Sequence, residues 1–219
     1  MTDDDPSEGS DLDALVRRVD PDRWLSSRFI ADPGLRADVT AIYAYDHELA
    51  RARRVASNPL LAEIRLAWWR EALDEIYQGR PVRRHPTAQA LSAAVARHAL
   101  PRDPLEAMID ARIRELNPAD HDALQWAGDT AGSAAVLAAR ILDPAGPADA
   151  ARAAGAAWAL ARHHPSSVRE ALAAARAHAQ RLRVAAFPAI AHAALAPNPD
   201  ASELAKRLRL TWAAMRGRI

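Results

Sequence analysis

Tyr43, Asp46, His47, Ala50 and Arg54 recur at three- and four-residue spacing, so a helix through them aligns a phenol, a carboxylate, an imidazole and a guanidinium along one side. A face of this kind is either solvated surface, with a local ion pair between Asp46 and an arginine, or the wall of a pocket. In a pocket, Arg54 could pair with a phosphate without any metal. Arg51 and Arg53 span more than half a turn with it and read as solvated surface.

The following segment adds Trp68, Trp69, Arg70, Glu71, Asp74 and Glu75. Glu71 and Glu75 stand one turn apart, as metal-binding carboxylate pairs do, but Arg70 and Asp74 share that spacing and point to ion pairs on an exposed face. Trp68 and Trp69 cannot share one direction, so at least one belongs to the core. Trp69 and Glu71 join Tyr43, Asp46, His47 and Arg54 as ligand-binding candidates. Glu106 and Asp110, with Arg102 and Arg114 one turn before and after, read as surface.

Other chemistries find no pattern. His163 and His164 adjoin Pro165 at a helix break, His178 and His192 fall on separate helices, and no His-Glu-x-x-His spacing occurs, so no residue is assigned to a metal. Ser26-Ser27 and Ser166-Ser167 lack the glycines of a nucleophile elbow, and there is no glycine-rich phosphate loop. With no cysteine, disulfides, thiolate zinc sites, iron–sulfur ligation and a cysteine nucleophile are excluded. Lys+Arg (29) nearly cancels Asp+Glu (28), which argues against a strongly basic nucleic-acid binder.

The elements that must carry these residues are helices. Ala makes up roughly a quarter of the chain, and Ala, Leu, Arg and Glu lose least on entering a helix. Asp20-Pro21, Asn58-Pro59, Asp103-Pro104 and His164-Pro165 each set proline where a helix could begin, Gly79 reads as a stop, and Asp200-Ala201-Ser202-Glu203 has capping-box spacing. Helices are expected at about 11–19, 22–31, 35–56, 59–78, 87–99, 104–116, 120–142, 147–163, 166–184, 187–195 and 201–216. On the helix over 35–56, Val39, Ile42, Leu49, Ala52 and Ala56 supply a packing stripe. The expectation is one all-α domain over 20–219, preceded by an acidic, partly flexible segment over 1–19. The acidic start is unlike a secretory signal and points to the cytoplasm. The longest apolar stretch, Ala131 to Ala139, is about half of what crosses a bilayer.

Asp22-Arg23-Trp24-Leu25, Ala41-Ile42-Tyr43-Ala44-Tyr45, Glu48-Leu49-Ala50-Arg51 and Ile64 through Leu73 resemble, in that order, blocks of the squalene/phytoene synthase family. Leu100-Pro101 through Met108-Ile109-Asp110-Ala111-Arg112 resembles its middle segment, and Trp126 through Ser133 its later glycine-containing helix. The resemblance covers about residues 20–160 and implies an antiparallel helical bundle of the isoprenoid synthase type around a central cavity. Active members join two prenyl diphosphates head to head, using two aspartate-rich motifs to hold magnesium against the leaving group. Its negative charge must be stabilised as the carbon–oxygen bond breaks.

Both motifs are missing. Counting onward from Tyr43-Ala44-Tyr45 puts the ends of the first at Ala50 and Arg54. The second should follow Gly155-Ala156-Ala157, where Trp158-Ala159-Leu160-Ala161-Arg162-His163-His164 stands, and past about 162 the chain is shortened or divergent. This pattern resembles the degenerate branch of the family, which includes a mitochondrial complex I assembly protein and bacterial proteins with Glu-Leu-Ala-Arg at the first motif. The resemblance therefore implies a non-catalytic isoprenoid-binding or assembly-type protein, with a prenyl diphosphate or other isoprenoid, or a protein, as partner. Two alternatives stay open. One is a working prenyl transferase that gathers magnesium on displaced carboxylates at Asp46, Glu48, Glu71, Asp74 and Glu75. The other is a peripheral membrane protein that uses its C-terminal helices with Lys206, Arg207, Arg209, Arg216 and Arg218.

Overall fold

Proline and side-chain caps start several helices as the sequence suggests. The computed structural model describes residues 7–54, 58–117 and 122–219, with side chains from Leu12 onward. α1 (Ser7–Val19) is followed by α2 (Pro21–Ser27), capped by the Asp20 carboxylate, which accepts from the Arg23 amide at 3.2 Å. α3 (Pro33–Arg54) precedes α4 (Pro59–Tyr77), which Asn58 caps and which ends before Gly79 at φ +67°. Then come α5 (Pro86–His98) and α6 (Arg102–Arg114), where Pro101, not Asp103, holds the cap position and Pro104 lies within the first turn.

The helix expected over 120–142 begins, among the described residues, with α7 (Ala123–Ala127). A π-turn over Gly128–Gly132 separates α7 from α8 (Ser133–Leu142). Residue 120 and Ala56 fall outside the described residues. The widened turn frees the Gly128 carbonyl, which accepts from Arg152 Nη1 at 2.8 Å. α9 (Ala148–His163) and α10 (Val168–Ala179) form an adjacent pair, and α11 (Glu203–Arg216) is capped by the Ser202 hydroxyl instead of Asp200. No strand occurs among the described residues.

α3 is the axis of the bundle. It packs against α1, α2, α4, α5, α6 and α8, so from Asp38 to Asp46 every side chain on it is buried, polar ones included. That differs from a helix with one packing stripe, and the reason is that neighbours cover both of its sides. Small residues let these neighbours close in. A Cβ on Gly155 of α9 would sit 2.3 Å from the Ala131 carbonyl oxygen, so glycine alone permits this approach of α9 to the π-turn.

The C-terminal third fills the interior. Residues 187–195, expected as a helix, run as two 3₁₀ stretches, Val184–Ala189 and Ala191–Leu195, because Pro188 removes an amide donor mid-segment. Residues 186–196 are all buried, against α2, α8, α9 and α11. Ser26 of α2 pins this plug, its hydroxyl donating to the Pro188 carbonyl at 2.6 Å and accepting from the His192 amide at 3.2 Å.

Candidate functional site

An open cleft of about 850 Å³ lies where α3, α6, α9 and the π-turn meet the end of α1. Ala50 and Arg54 from α3 line it, facing Trp158, Arg162 and His163 from α9. Asp46 and His47 stand on the same α3 face, one turn before Ala50 and two before Arg54.

Five arginines line the cleft, Arg23, Arg53, Arg54, Arg112 and Arg162, against three acids, Asp20, Asp46 and Glu115. Each acid is already paired. Asp46 accepts from Arg23 Nη2 at 2.7 Å and Arg112 Nη2 at 3.0 Å, Asp20 is bonded to Arg23 Nε, and Glu115 accepts from Arg112 Nη1 at 2.6 Å and from the Trp126 indole. Burial works against the Asp46 carboxylate, but the charges of Arg23 and Arg112 and their hydrogen bonds hold it down to about 2. Arg162 reaches outward to Asp22 at 2.7 Å. Among the described residues Arg54 meets no carboxylate, and its Nη2 lies 3.4 Å from His47 Nδ1. Desolvation, aided by Arg54 and Arg51, lowers the pKa of His47, so the ring faces Arg54 neutral.

The candidates divide. Asp46, His47 and Arg54 come together on the cleft. Tyr43 is fully buried one layer behind it, its ring 5.0 Å from the Arg23 guanidinium and edge-on to His192. Trp69 packs away from the cleft among Tyr45, Trp68 and His85, and Trp68 is the more exposed of the tryptophan pair. Glu71 is exposed and paired with Arg83 at 3.2 Å. The sequence reading missed Arg23, Arg112, Glu115, Trp126 and Trp158 as cleft residues, although Arg23, Arg112 and Trp126 lie inside the quoted blocks of resemblance.

This donor set does not fit magnesium, which takes carboxylate and water oxygens in octahedral array. Ala50 offers no ligand, Arg54 repels a cation, and the cleft acids are neutralised by arginine. The other acids the displaced-carboxylate alternative needs are dispersed, with Glu48 near Arg51 at 3.5 Å, Glu75 on Arg83 at 2.6 Å and Asp74 on Arg102 at 2.5 Å. Among the described residues no group of three or more such side chains could hold a metal ion. What the cleft can do is accept an anion, since guanidinium forks pair with phosphate oxygens directly.

The all-helical bundle around this cleft has the fold of the squalene/phytoene synthases. The squalene/phytoene synthase model matches residues 16–164, more than half of the chain, and the protein belongs to that family. It is also similar to complex I assembly factor 6 of NADH dehydrogenase (ubiquinone). Identity is 29% over 132 residues with the Bos taurus protein and 27% over 132 residues with that of Mus musculus. In each case 58% of this chain is covered, and the chain spans 39% of the length of these curated relatives.

Proposed function

We propose that this protein is a non-catalytic member of its family that binds the phosphate end of a prenyl diphosphate, or of a related isoprenoid, without metal, and acts as a binding or assembly-type protein in the cytoplasm. One observation carries the reading. The cleft presents Ala50 and Arg54 where counting from Tyr43-Ala44-Tyr45 puts the first motif, the stretch after Gly155-Ala156-Ala157 adds Trp158 and Arg162 in place of an aspartate pair, and the cleft acids are bound to arginines. Arg54, Arg53 and the rim of Arg162 supply fixed positive charge where a diphosphate would otherwise meet magnesium. Such charge favours the bound ground state. Departure of pyrophosphate demands more, because several divalent ions normally take up the growing charge.

The interior supports binding without turnover. Two prenyl chains need a deep apolar chamber, but Tyr43, Trp158, Phe187 and His192 fill the space behind the cleft. A headgroup and the first part of one chain suit the volume that remains. The relatives named as complex I assembly factors favour a protein partner over a chemical product.

Titration calorimetry with farnesyl or geranylgeranyl diphosphate, in chelator and then in magnesium, tests this. Binding should persist in chelator and weaken in Arg54→Ala, with no pyrophosphate released in either condition. Magnesium-dependent pyrophosphate release above that of an Asp46→Ala, Glu71→Ala control would establish the displaced-carboxylate transferase in its place.

A further inference from the structure

α11 is seated by one side only. Leu210 and Ala213 are buried, Lys206 Nζ reaches the Asp22 carboxylate at 2.9 Å, and Arg209 Nε donates to the Ala194 carbonyl. These positions fix which side of the helix faces the bundle. On the other side Leu204, Leu208, Trp212 and Met215 stand 67%, 63%, 52% and 82% exposed. Their spacing of four, four and three residues makes one continuous ridge along the helix.

Charge borders that ridge on both shoulders. At 100° per residue Arg207 falls on one side and Arg216 on the other, with the Arg216 guanidinium 5.0 Å above the Trp212 ring. Arg218 follows the helix, exposed. The acid of this helix, Glu203, is bonded to Arg207 at 3.1 Å, and among the described residues no carboxylate pairs with Arg216 or Arg218.

We propose that α11 docks the protein on an anionic bilayer surface, with Leu204, Leu208, Trp212 and Met215 inserted at the level of the headgroups and acyl boundary. An apolar stripe with arginines on its shoulders and a tryptophan within it matches a helix lying in the membrane interface. A second copy of this chain fits less well. Antiparallel pairing of two ridges about a twofold axis sets each arginine shoulder against its own copy, with Glu203 already engaged. Lipid phosphates meet those arginines without that repulsion.

The linkage to the rest of the molecule is short. The Asp22 carboxylate that receives Lys206 of α11 also receives Arg162 and the Trp158 indole of the cleft wall, at 2.7 and 3.3 Å. The docking helix and the cleft are therefore braced on one buried acid. The proposal does not depend on what the cleft binds.

Flotation of the full chain with phosphatidylcholine vesicles, and with vesicles that are about a third phosphatidylglycerol, tests it. The protein should float with the anionic vesicles and stay behind with the neutral ones, and added salt should release it. Leu208→Glu and Trp212→Glu, both at exposed sites, should each lower the bound fraction roughly tenfold or more with the helical circular dichroism unchanged. Arg207→Glu with Arg216→Glu should remove the preference for anionic lipid. No binding to either vesicle, or binding that these variants leave intact, overturns the proposal. So does a concentration-dependent dimer in sedimentation that Leu208→Glu dissolves, because the ridge would then be a contact between copies.

Discussion

Arg23 of α2 donates to Asp46 of α3 at 2.7 Å across 23 residues of sequence, and this bond makes the carboxylate one turn before Ala50 the counter-ion of an arginine. Arg112 arrives from the opposite side at 3.0 Å. The acid that a catalytic reading would want free is thus a structural hinge pin for three helices.

Removing that acid takes from two buried arginines the carboxylate they share. In Asp46→Asn, Arg23 keeps Asp20 and Arg112 keeps Glu115, so stability should fall by about 2–3 kcal/mol in urea denaturation, short of the loss expected for an uncompensated buried charge. The acid limb of the wild type reports the same bond. Asp46 titrates at about 2 in the folded protein and near ~4 when unfolded, so the stabilisation is complete above the unfolded value and fades as pH falls towards the folded one. The unfolding free energy should fall by roughly 2–3 kcal/mol between about pH 4 and 2 from this group, and Asp46→Asn should lack that component.

His192 acts over a higher window. Burial between Tyr43 and Trp158, with Arg23 nearby, pushes its pKa down to about 3, and neither ring nitrogen finds a partner. Because the folded form resists the proton that the unfolded chain accepts near ~6.5, stability declines as pH falls below that value. The slope from this one group reaches about 1.4 kcal/mol per pH unit until the folded value is approached. Lowered pKa values at His47, His85 and His163 add to it in the same direction. His192→Phe keeps an aromatic ring and deletes the orphaned nitrogens, so it should hold or raise stability at neutral pH and flatten the slope by one proton.

Arg54 sets the affinity of the cleft for phosphate. Replacing a charge-assisted hydrogen bond of about 1.5–3 kcal/mol, Arg54→Ala should weaken prenyl diphosphate binding by roughly 10- to 100-fold in calorimetry, with Arg54→Lys in between. Restoring acids at the first motif alone should not restore chemistry. The double variant Ala50→Asp, Arg54→Asp leaves the facing α9 wall with Trp158 and Arg162 and no acid, so magnesium should produce no pyrophosphate and phosphate binding should fall further.

Helical class, the stop at Gly79 and the burial of at least one of Trp68 and Trp69 were legible because each depends on local preference: alanine content, a positive φ, the direction of adjacent side chains. The face of Asp46, His47 and Arg54 was legible for the same reason, since helical spacing aligns it. The partners of Asp46 were not, because Arg112 stands 66 residues away and only packing of α6 on α3 brings it near. Local ion-pair reasoning therefore left the acid between surface and pocket wall, and the structure makes it a buried junction on the cleft wall. The plug over 186–195 escaped for another reason. An alanine-rich stretch looks helical until Pro188 and complete burial impose the tighter 3₁₀ path.

Two glycines near the cleft should separate close packing from mere conformational freedom. Gly128 has open space around its missing side chain and a right-handed helical backbone, so Gly128→Ala should be tolerated and could stabilise by up to about 1 kcal/mol. Gly155 presses on backbone instead. An added Cβ would meet the Ala131 carbonyl oxygen at 2.3 Å and its carbon at 2.8 Å, and neither atom can turn aside as a flexible side chain would. Gly155→Ala must push α9 off the π-turn, costing about 3 kcal/mol or more. Trp158 and Arg162 lie on the same side of α9 as Gly155, at successive turns, so that displacement also moves the cleft wall. Thermal unfolding should drop for Gly155→Ala alone, and at temperatures where this variant is still folded its prenyl diphosphate affinity should fall while that of Gly128→Ala stays at the wild-type level. Equal stability of the two variants would mean that α9 and the π-turn are not in contact at Gly155.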